Sequence, residues 1–383
     1  MNSKSVLFAA LSLHSTLGGI QRFNQRVVRN LSELLPEAVL RVHVLGDPLD
    51  ERAVSSGVYG FAGRKAAFIA KTLLALRGAE LLAIDHVALL PLAALAKLVK
   101  PRLPVLLFAH GVEVWGSDGG RPVRRFEPAL MRFAVARVAC VSRFTALRLQ
   151  RAFRYPGARV SLLPNAVDPL PIAPPAREPT STQTVLVVTR LSALEPYKNV
   201  DKVIAAVARL APSMPDLRLE IVGDGDARPA LVAMTEANGV SDRVRFLGRV
   251  LEGELAAAYA RASVFALPST GEGFGIAYLE AWQRGLPVIG STEGAAPEVI
   301  EDGKDGLVVE AADTEALAGA IETLLRDDKL ARRLGEAGRA KTMTIYSGGG
   351  VPPEPPGCHP GSPGALNRTG RIDPRSHAGT KER

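Results

Sequence analysis

The chain has 383 residues, 47% of them apolar and 22% charged, so it can bury a sizeable core and wholesale disorder is excluded. The net charge is +8, yet aromatic residues make up only 5%, which leaves few platforms on which single-stranded nucleic acid could stack. At roughly 150 residues per domain the length predicts two domains, and two domains imply a cleft.

The charge is unevenly spread. Residues 1–183 carry 24 Lys and Arg against 12 Asp and Glu, whereas residues 184–341 carry 18 against 24. Within the basic half, Arg64 to Arg77 and Arg121 to Arg137 combine Lys and Arg with helical spacing on otherwise apolar stretches. Docking of these two helices on an anionic membrane surface is the preferred reading. The plainer alternative is two ordinary surface helices with solvated charges. No nucleic-acid motif accompanies them, so nucleic acid is not expected as a partner.

The N-terminus, MNSKSVLF, runs straight into a strand rather than a signal peptide, and the longest nearly apolar stretch, Val87 to Ala96, is too short to cross a bilayer. A cytoplasmic protein, peripheral on the membrane at most, is expected. Cys140 and Cys358 supply neither a disulfide framework nor a zinc site and are expected to be free thiols.

Short apolar runs alternate with amphipathic helical stretches, the pattern of parallel sheets covered on both faces. In the first half, strands are expected near Ser5 to Leu11, Val39 to Leu45, Leu81 to Asp85, Pro104 to Ala109, Val138 to Val141 and Val160 to Leu163. In the second half they are expected near Thr184 to Thr189, Arg218 to Val222, Val244 to Leu247, Ser263 to Leu267, Pro287 to Gly290 and Gly306 to Val308. The fold class is therefore α/β, with two doubly wound, Rossmann-like domains over residues 1–169 and 184–341 facing each other across a cleft. Between them residues 170–183 form a linker, since the stretch from Pro169 to Gln183 holds five prolines. Residues 342–383 contain eight Gly and seven Pro without hydrophobic periodicity, and are expected to be a disordered tail. A flexible extension and a shift of coding frame both fit that abrupt change.

In open α/β sheets, ligands bind beyond the carboxyl ends of the strands. After the first strand, Gly18 and Gly19 open a helix, where bare backbone N–H groups can approach a phosphate, although glycine is also a plain turn residue. The fourth strand ends in FAHG and places His110 at a strand-to-loop junction. Most lone histidines are structural, and the strand-end position is what makes this one a candidate. In the second half, VLVVTR ends at Arg190 and the following loop delivers Lys198, two cations suited to neutralising a diphosphate leaving group. The next signal is TGEGFGIAYLE: Gly271, Gly273 and Gly275 flank Glu272 in a loop, while Glu280 falls in the second turn of the helix that follows.

Together these residues resemble the retaining glycosyltransferases of family 4, which have the GT-B fold. The resemblance runs from about Lys4 to Lys341. It rests on Glu272 and Glu280 as E-x7-E with EGFG intact, on Arg190 and Lys198, and on GLPVIGSTEGAAPEVIEDGKDGLVV in the second domain. In the first domain it rests on Gly18-Gly19, AHG at His110, VSRF at Val141 to Phe144 and LPNAVD at Leu163 to Asp168. The resemblance implies a hexosyltransferase, retaining and independent of metal, that uses a nucleotide-diphosphate sugar and a saccharide or lipid-linked acceptor. It implies that Glu272, Gly273 and the amides of Phe274 and Gly275 hold the donor hexose, that Glu280 holds the ribose, and that Gly248 to Val250 meet the base. Arg190, Lys198 and the Gly18-Gly19 turn would hold the diphosphate, with His110 beside the sugar. Members of this fold usually end in a helix that crosses back to the first domain, and here the Pro/Gly-rich tail stands in its place.

Competing readings are weaker. Asp224-Gly225-Asp226 spells a metal-binding D-x-D, but it follows a strand and enters a helix, so an Asp near an N-cap is the plainer account and no metal or cofactor is expected. Gly223 and Gly225 fall short of a dinucleotide fingerprint because Arg228 stands at its third glycine. A glycosidase would need a carboxyl of raised pKa, which two neighbouring cations oppose. A nucleotide-sugar 2-epimerase of the same architecture and a catalytically disabled binding protein remain as alternatives.

Overall fold

The computed structural model describes residues 5–15, 18–35, 39–48, 57–116, 120–170 and 183–347. The first domain is built on a parallel sheet of seven strands: β1 (Ser5–Ala10), β2 (Val39–Val44), β3 (Val58–Gly60), β4 (Leu81–Ile84), β5 (Val105–Ala109), β6 (Arg137–Cys140) and β7 (Val160–Leu162). Their spatial order is β3-β2-β1-β4-β5-β6-β7. The second domain carries a parallel sheet of six: β8 (Gln183–Val188), β9 (Leu217–Val222), β10 (Val244–Gly248), β11 (Val264–Ala266), β12 (Val288–Ser291) and β13 (Leu307–Val309), in the order β10-β9-β8-β11-β12-β13.

The middle strands β4 (LLAI), β5 (VLLFA) and β11 (VFA) are apolar along their whole length because helices cover both faces. Every residue of β1 is buried, and Val6 lies opposite Leu40 of β2 on one side and Leu81 of β4 on the other. The helices of the first domain are α1 (Gly19–Leu34), α2 (Lys65–Ala75), α3 (Leu90–Val99), α4 (Glu127–Ala134) and α5 (Arg143–Phe153). Those of the second are α6 (Val200–Leu210), α7 (Arg228–Ala237), α8 (Glu252–Arg261), α9 (Ile276–Gln283), α10 (Ala296–Val299), α11 (Thr314–Arg326) and α12 (Asp328–Ile345). In both sheets the chain order reverses at the first strand, so the crevices open beyond the carboxyl ends of β1 and β4 and of β8 and β11.

Three expectations need correction. Strand β3 was not foreseen, being three residues long and ending in glycine. The helix expected over Arg121 to Arg137 is only α4, since Pro128 at its first turn pre-sets the start and Arg121 instead pairs with Glu127 at 3.0 Å. The second domain does not stop at Lys341. Helix α12 runs to Ile345, Thr342 is fully buried and Tyr346 is 7% exposed, while Ser347 bridges to Val167. The glycines and prolines of the tail begin only at Gly348, and TMTIY before them continues the apolar face of the helix. Val167 donates its amide to Tyr346 O at 2.8 Å, so the chain does return to the end of the first domain. The rest of the tail, most of the linker (171–182) and Cys358 lie outside the described residues; Cys140 is a free, buried thiol.

Candidate active site

The second-domain wall is assembled from the loops after β8 and β11. Asn199, in the left-handed region at φ 54°, donates its side-chain amide to Pro268 O at 2.8 Å, and Thr270 donates its amide to Tyr197 O at 2.9 Å. These bonds tie the two loops together and bring Lys198 Nζ to 2.6 Å from Glu272 Oε2, with both side chains largely buried. Arg190 is not drawn into that pair. Its guanidinium meets Glu195, with Nε 3.0 Å from Oε2, and that hydrogen bond raises the pKa of the arginine. Arg190, Lys198 and Glu195 line one small, half-open recess of about 60 Å³ beside the start of α6.

Gly275 caps the start of α9 at φ 91°, a conformation that a side chain would oppose. Glu280 then falls in the second turn of α9. Tyr259 of α8 donates to Glu280 Oε2 at 3.0 Å, and Arg22 of α1 reaches across from the first domain to pair with Oε1. Phe274 is buried and packs against Tyr346, with ring centroids 5.7 Å apart.

On the facing wall, Gly18 precedes and Gly19 begins α1, and a Cβ on Gly19 would lie 3.5 Å from Ile276 at the start of α9. The loop before α1 is held by Asp47, which accepts the amides of Leu13, His14 and Ser15 at 2.7–3.1 Å. Burial opposes ionisation of Asp47, but these bonds and one from the Ser15 hydroxyl outweigh it and lower its pKa. Asp85 at the end of β4 accepts from Leu11 N and, at 2.8 Å, from Asn24, yet burial pushes its pKa up to about 7. His110 Nε2 donates to Asp85 O at 3.1 Å, and the ring stands edge-on to Phe23 at 4.7 Å. Burial lowers the pKa of His110, so the ring is neutral and Nδ1 is its acceptor nitrogen. Glu113 accepts the amides of His110 at 2.5 Å and Gly111 at 3.1 Å and so fixes the turn.

The two walls touch. A Cβ on Gly273 would fall 2.3 Å from His110 O, so the EGFG loop and the AHG turn meet backbone to backbone, and only glycine fits between them. The structure therefore brings Lys198, Glu272, Gly273 and His110 to one place, with Gly19 and Glu280 beside it. Gly248 and Val250 lie at the end of β10, two strands from β8, where Gly223 donates its amide to Gly248 O at 2.8 Å. Asp226 does not cap α7 but accepts Ala193 N at 2.7 Å, and Asp224 pairs with Arg228 at 3.5 Å. Among the described residues, no group of three His, Cys, Asp or Glu could hold a metal ion.

Sequence reasoning missed Arg22, Asp85, Glu113, Glu195 and Tyr259. Glu195 and Glu113 had a local signal, each a carboxylate a few residues beyond a singled-out strand end. Arg22 and Tyr259 had none, because their partner Glu280 lies 258 and 21 positions away in the chain.

Comparison with known proteins matches residues 18–169 to the model described as Glycosyltransferase Family 4 and residues 175–341 to that of the glycosyl transferases group 1. A GDP-mannose-dependent alpha-(1-6)-phosphatidylinositol monomannoside mannosyltransferase of Mycolicibacterium smegmatis is 39% identical over 215 residues, 53% of this chain and 56% of that protein. The chain thus spans little more than half the length of that relative. A GDP-mannose-dependent monoacylated alpha-(1-6)-phosphatidylinositol monomannoside mannosyltransferase of Corynebacterium glutamicum is 34% identical over 286 residues, 69% of this chain and 73% of that protein. The crystal structure of Anabaena HepE in complex with UDP and glucose superposes with a TM-score of 0.73 at 19% identity, covering 90% of this chain and 96% of that one. With these matches over both domains and the paired parallel sheets, the chain belongs to the family 4, group 1 glycosyltransferases and has their GT-B fold.

Proposed function

We propose that the protein is a retaining hexosyltransferase that works without a metal ion. It would move a mannose- or glucose-type hexose from a nucleotide-diphosphate sugar to a saccharide or lipid-linked acceptor in cell-envelope or polysaccharide synthesis. The observation that carries this reading is the Lys198–Glu272 pair at 2.6 Å, set against the AHG turn where the domains meet. A diphosphate is a stronger partner for Lys198 than a carboxylate is, so donor binding releases Glu272 to accept from sugar hydroxyls. Arg190 and the first amides of α1 add positive charge where the leaving group gains negative charge. Neutral His110 accepts a sugar hydroxyl at Nδ1. In a same-face displacement, the bond from C1 to the leaving phosphate oxygen breaks as the acceptor oxygen approaches. That phosphate takes the acceptor's proton, so the protein supplies position and charge rather than a nucleophile.

GDP-mannose is the first donor to try, because both relatives are named as GDP-mannose-dependent. The test is transfer by the purified protein against GDP-, UDP- and ADP-sugars with EDTA present, beside Glu272→Ala and Lys198→Ala, with the product anomer read by NMR. Turnover with one donor that survives EDTA, retains the anomer and is lost in both variants supports the proposal. A folded protein silent across the panel, or one rescued only by a divalent cation, overturns it.

A lipid-linked acceptor accords with the outer face of the first domain. Helix α3 packs between α2 and α4. Leu74, Leu98, Val99, Phe126 and Phe133 are exposed on these helices and the loops joining them, among the exposed cations Lys71, Arg77, Arg102, Arg125 and Arg132. No described helix is long and apolar enough to cross a membrane, so the proposed contact is superficial. Flotation with vesicles containing anionic lipid at low salt should recover the protein, and Leu98→Glu with Phe133→Glu should abolish recovery. Equal recovery with neutral vesicles, or none with anionic ones, refutes it.

A further inference from the structure

Two stretches with no part in the chemistry above, VSRF at 141–144 and PEVI at 297–300, are joined in the structure. Helix α5 begins at Arg143, and its N-cap Ser142 accepts the amide of Thr145 at 3.0 Å. The amides of Arg143 and Phe144 have no partner available within the helix. They donate instead across the cleft to Glu298 of the second domain, at 2.7 Å to Oε2 and 2.6 Å to Oε1, one amide to each oxygen. A helix N-terminus carries partial positive charge, so a carboxylate is the matching group.

Both sides of this contact lead to the reacting centre. The N-cap of α10, the short helix that carries Glu298, also holds Glu272, since Ala295 donates its amide to Glu272 O at 2.9 Å. On the α5 side, Thr145 Oγ1 donates to Gly273 O at 3.4 Å and accepts from Trp115 Nε1 at 3.3 Å. The Trp115 ring stands edge-on to Phe144 at 5.2 Å and to Tyr197 at 6.2 Å, and Tyr197 is the residue before Lys198.

We infer that Glu298 is a positioning residue, whose carboxylate, seated on the N-terminus of α5, fixes the closed arrangement in which Lys198 and Glu272 face His110. This rests on the transferase reading above for its catalytic consequence, but not for the contact itself. Loss of the carboxylate leaves each domain intact and lets the walls part.

Amide exchange resolved to single residues, in Glu298→Ala, Glu298→Gln and Ser142→Ala of the full chain, reads the contact directly. In Glu298→Ala the amides of Arg143 and Phe144 should exchange at least about tenfold faster, with α11 unchanged. Ser142→Ala should speed Thr145 first, and Glu298→Gln, which keeps one acceptor oxygen, should fall between. In the transfer assay, kcat of Glu298→Ala should drop about tenfold while Kd for GDP stays within about threefold. Unchanged exchange at Arg143 and Phe144 overturns the inference, and so does faster exchange throughout both domains, which marks a merely structural role. An active wild type whose kcat survives the substitution also overturns it. A wild type that transfers no hexose refutes the transferase reading instead, and the exchange pattern still decides the contact.

Discussion

A methyl group added at Gly273 would lie 2.3 Å from the carbonyl oxygen of His110 and 3.3 Å from Cα of Gly111. An unstrained contact needs about 3.5 Å, so the overlap is about 1 Å, and it falls between two backbones that cannot rotate away. Overpacking of this size costs about 1–3 kcal/mol. The two backbones belong to different domains, so the strain is relieved by opening the cleft rather than by unfolding either half. Gly273→Ala should therefore reduce kcat/KM for transfer by roughly 10- to 100-fold, with Tm within about 2 °C of wild type and free-nucleotide binding little changed. Gly275→Ala makes the contrast. There φ is 91° and the new methyl would meet the Tyr278 ring at 2.2 Å inside the second domain, so the strain of about 2 kcal/mol or more appears as a lower Tm. Gly273→Ala with kcat/KM within twofold of wild type, or with a Tm loss like that of Gly275→Ala, would refute the argument that the EGFG loop closes onto the AHG turn.

Two further outcomes follow from burial. Asp85 has an ordinary value of 3.8 and about 7 in the fold, so between those pH values the native state holds the proton more tightly than the unfolded chain does. Stability then falls as pH rises through that window, and Asp85→Asn lacks this loss; urea denaturation at about pH 5 and about pH 8 should show the wild type losing roughly 2 kcal/mol relative to the variant, and parallel curves would refute it. Tyr346→Ala removes a buried ring packed on Phe274 and should cost about 3 kcal/mol by urea denaturation, a loss below about 0.5 kcal/mol meaning that residues 342–347 do not belong to the folded domain.

The sheets were legible because a parallel strand covered on both faces writes itself as an apolar run. Strand β1, buried along its whole length, is the plain case. Strand β3 was not, since three residues ending in glycine carry no periodicity. The placement of Lys198 and Glu272 followed from strand ends, because loops at one edge of a parallel sheet must converge. Their mutual pairing, and the pairing of Arg190 with Glu195, did not follow, as residue type gives charge but not partner. What joins the domains was least legible of all. Arg22 finds Glu280, and the amides of Arg143 and Phe144 find Glu298, across more than 150 positions of chain. In the second case the donors are backbone groups that no side-chain motif announces.

The pairing of Val167 with Tyr346 and Ser347 places the exit from the first domain and the return of α12 side by side. A lobe hung on a single cord can swivel about it, whereas one hung on two adjoining cords can only swing like a door. Asp168, the residue after Val167, gathers Arg26 and Arg29 of α1 and Gln283 of α9 at the same edge. An opening pivoted at this doorpost would part Gly273 from His110 and Glu298 from the amides of α5, the residues that meet at the latch.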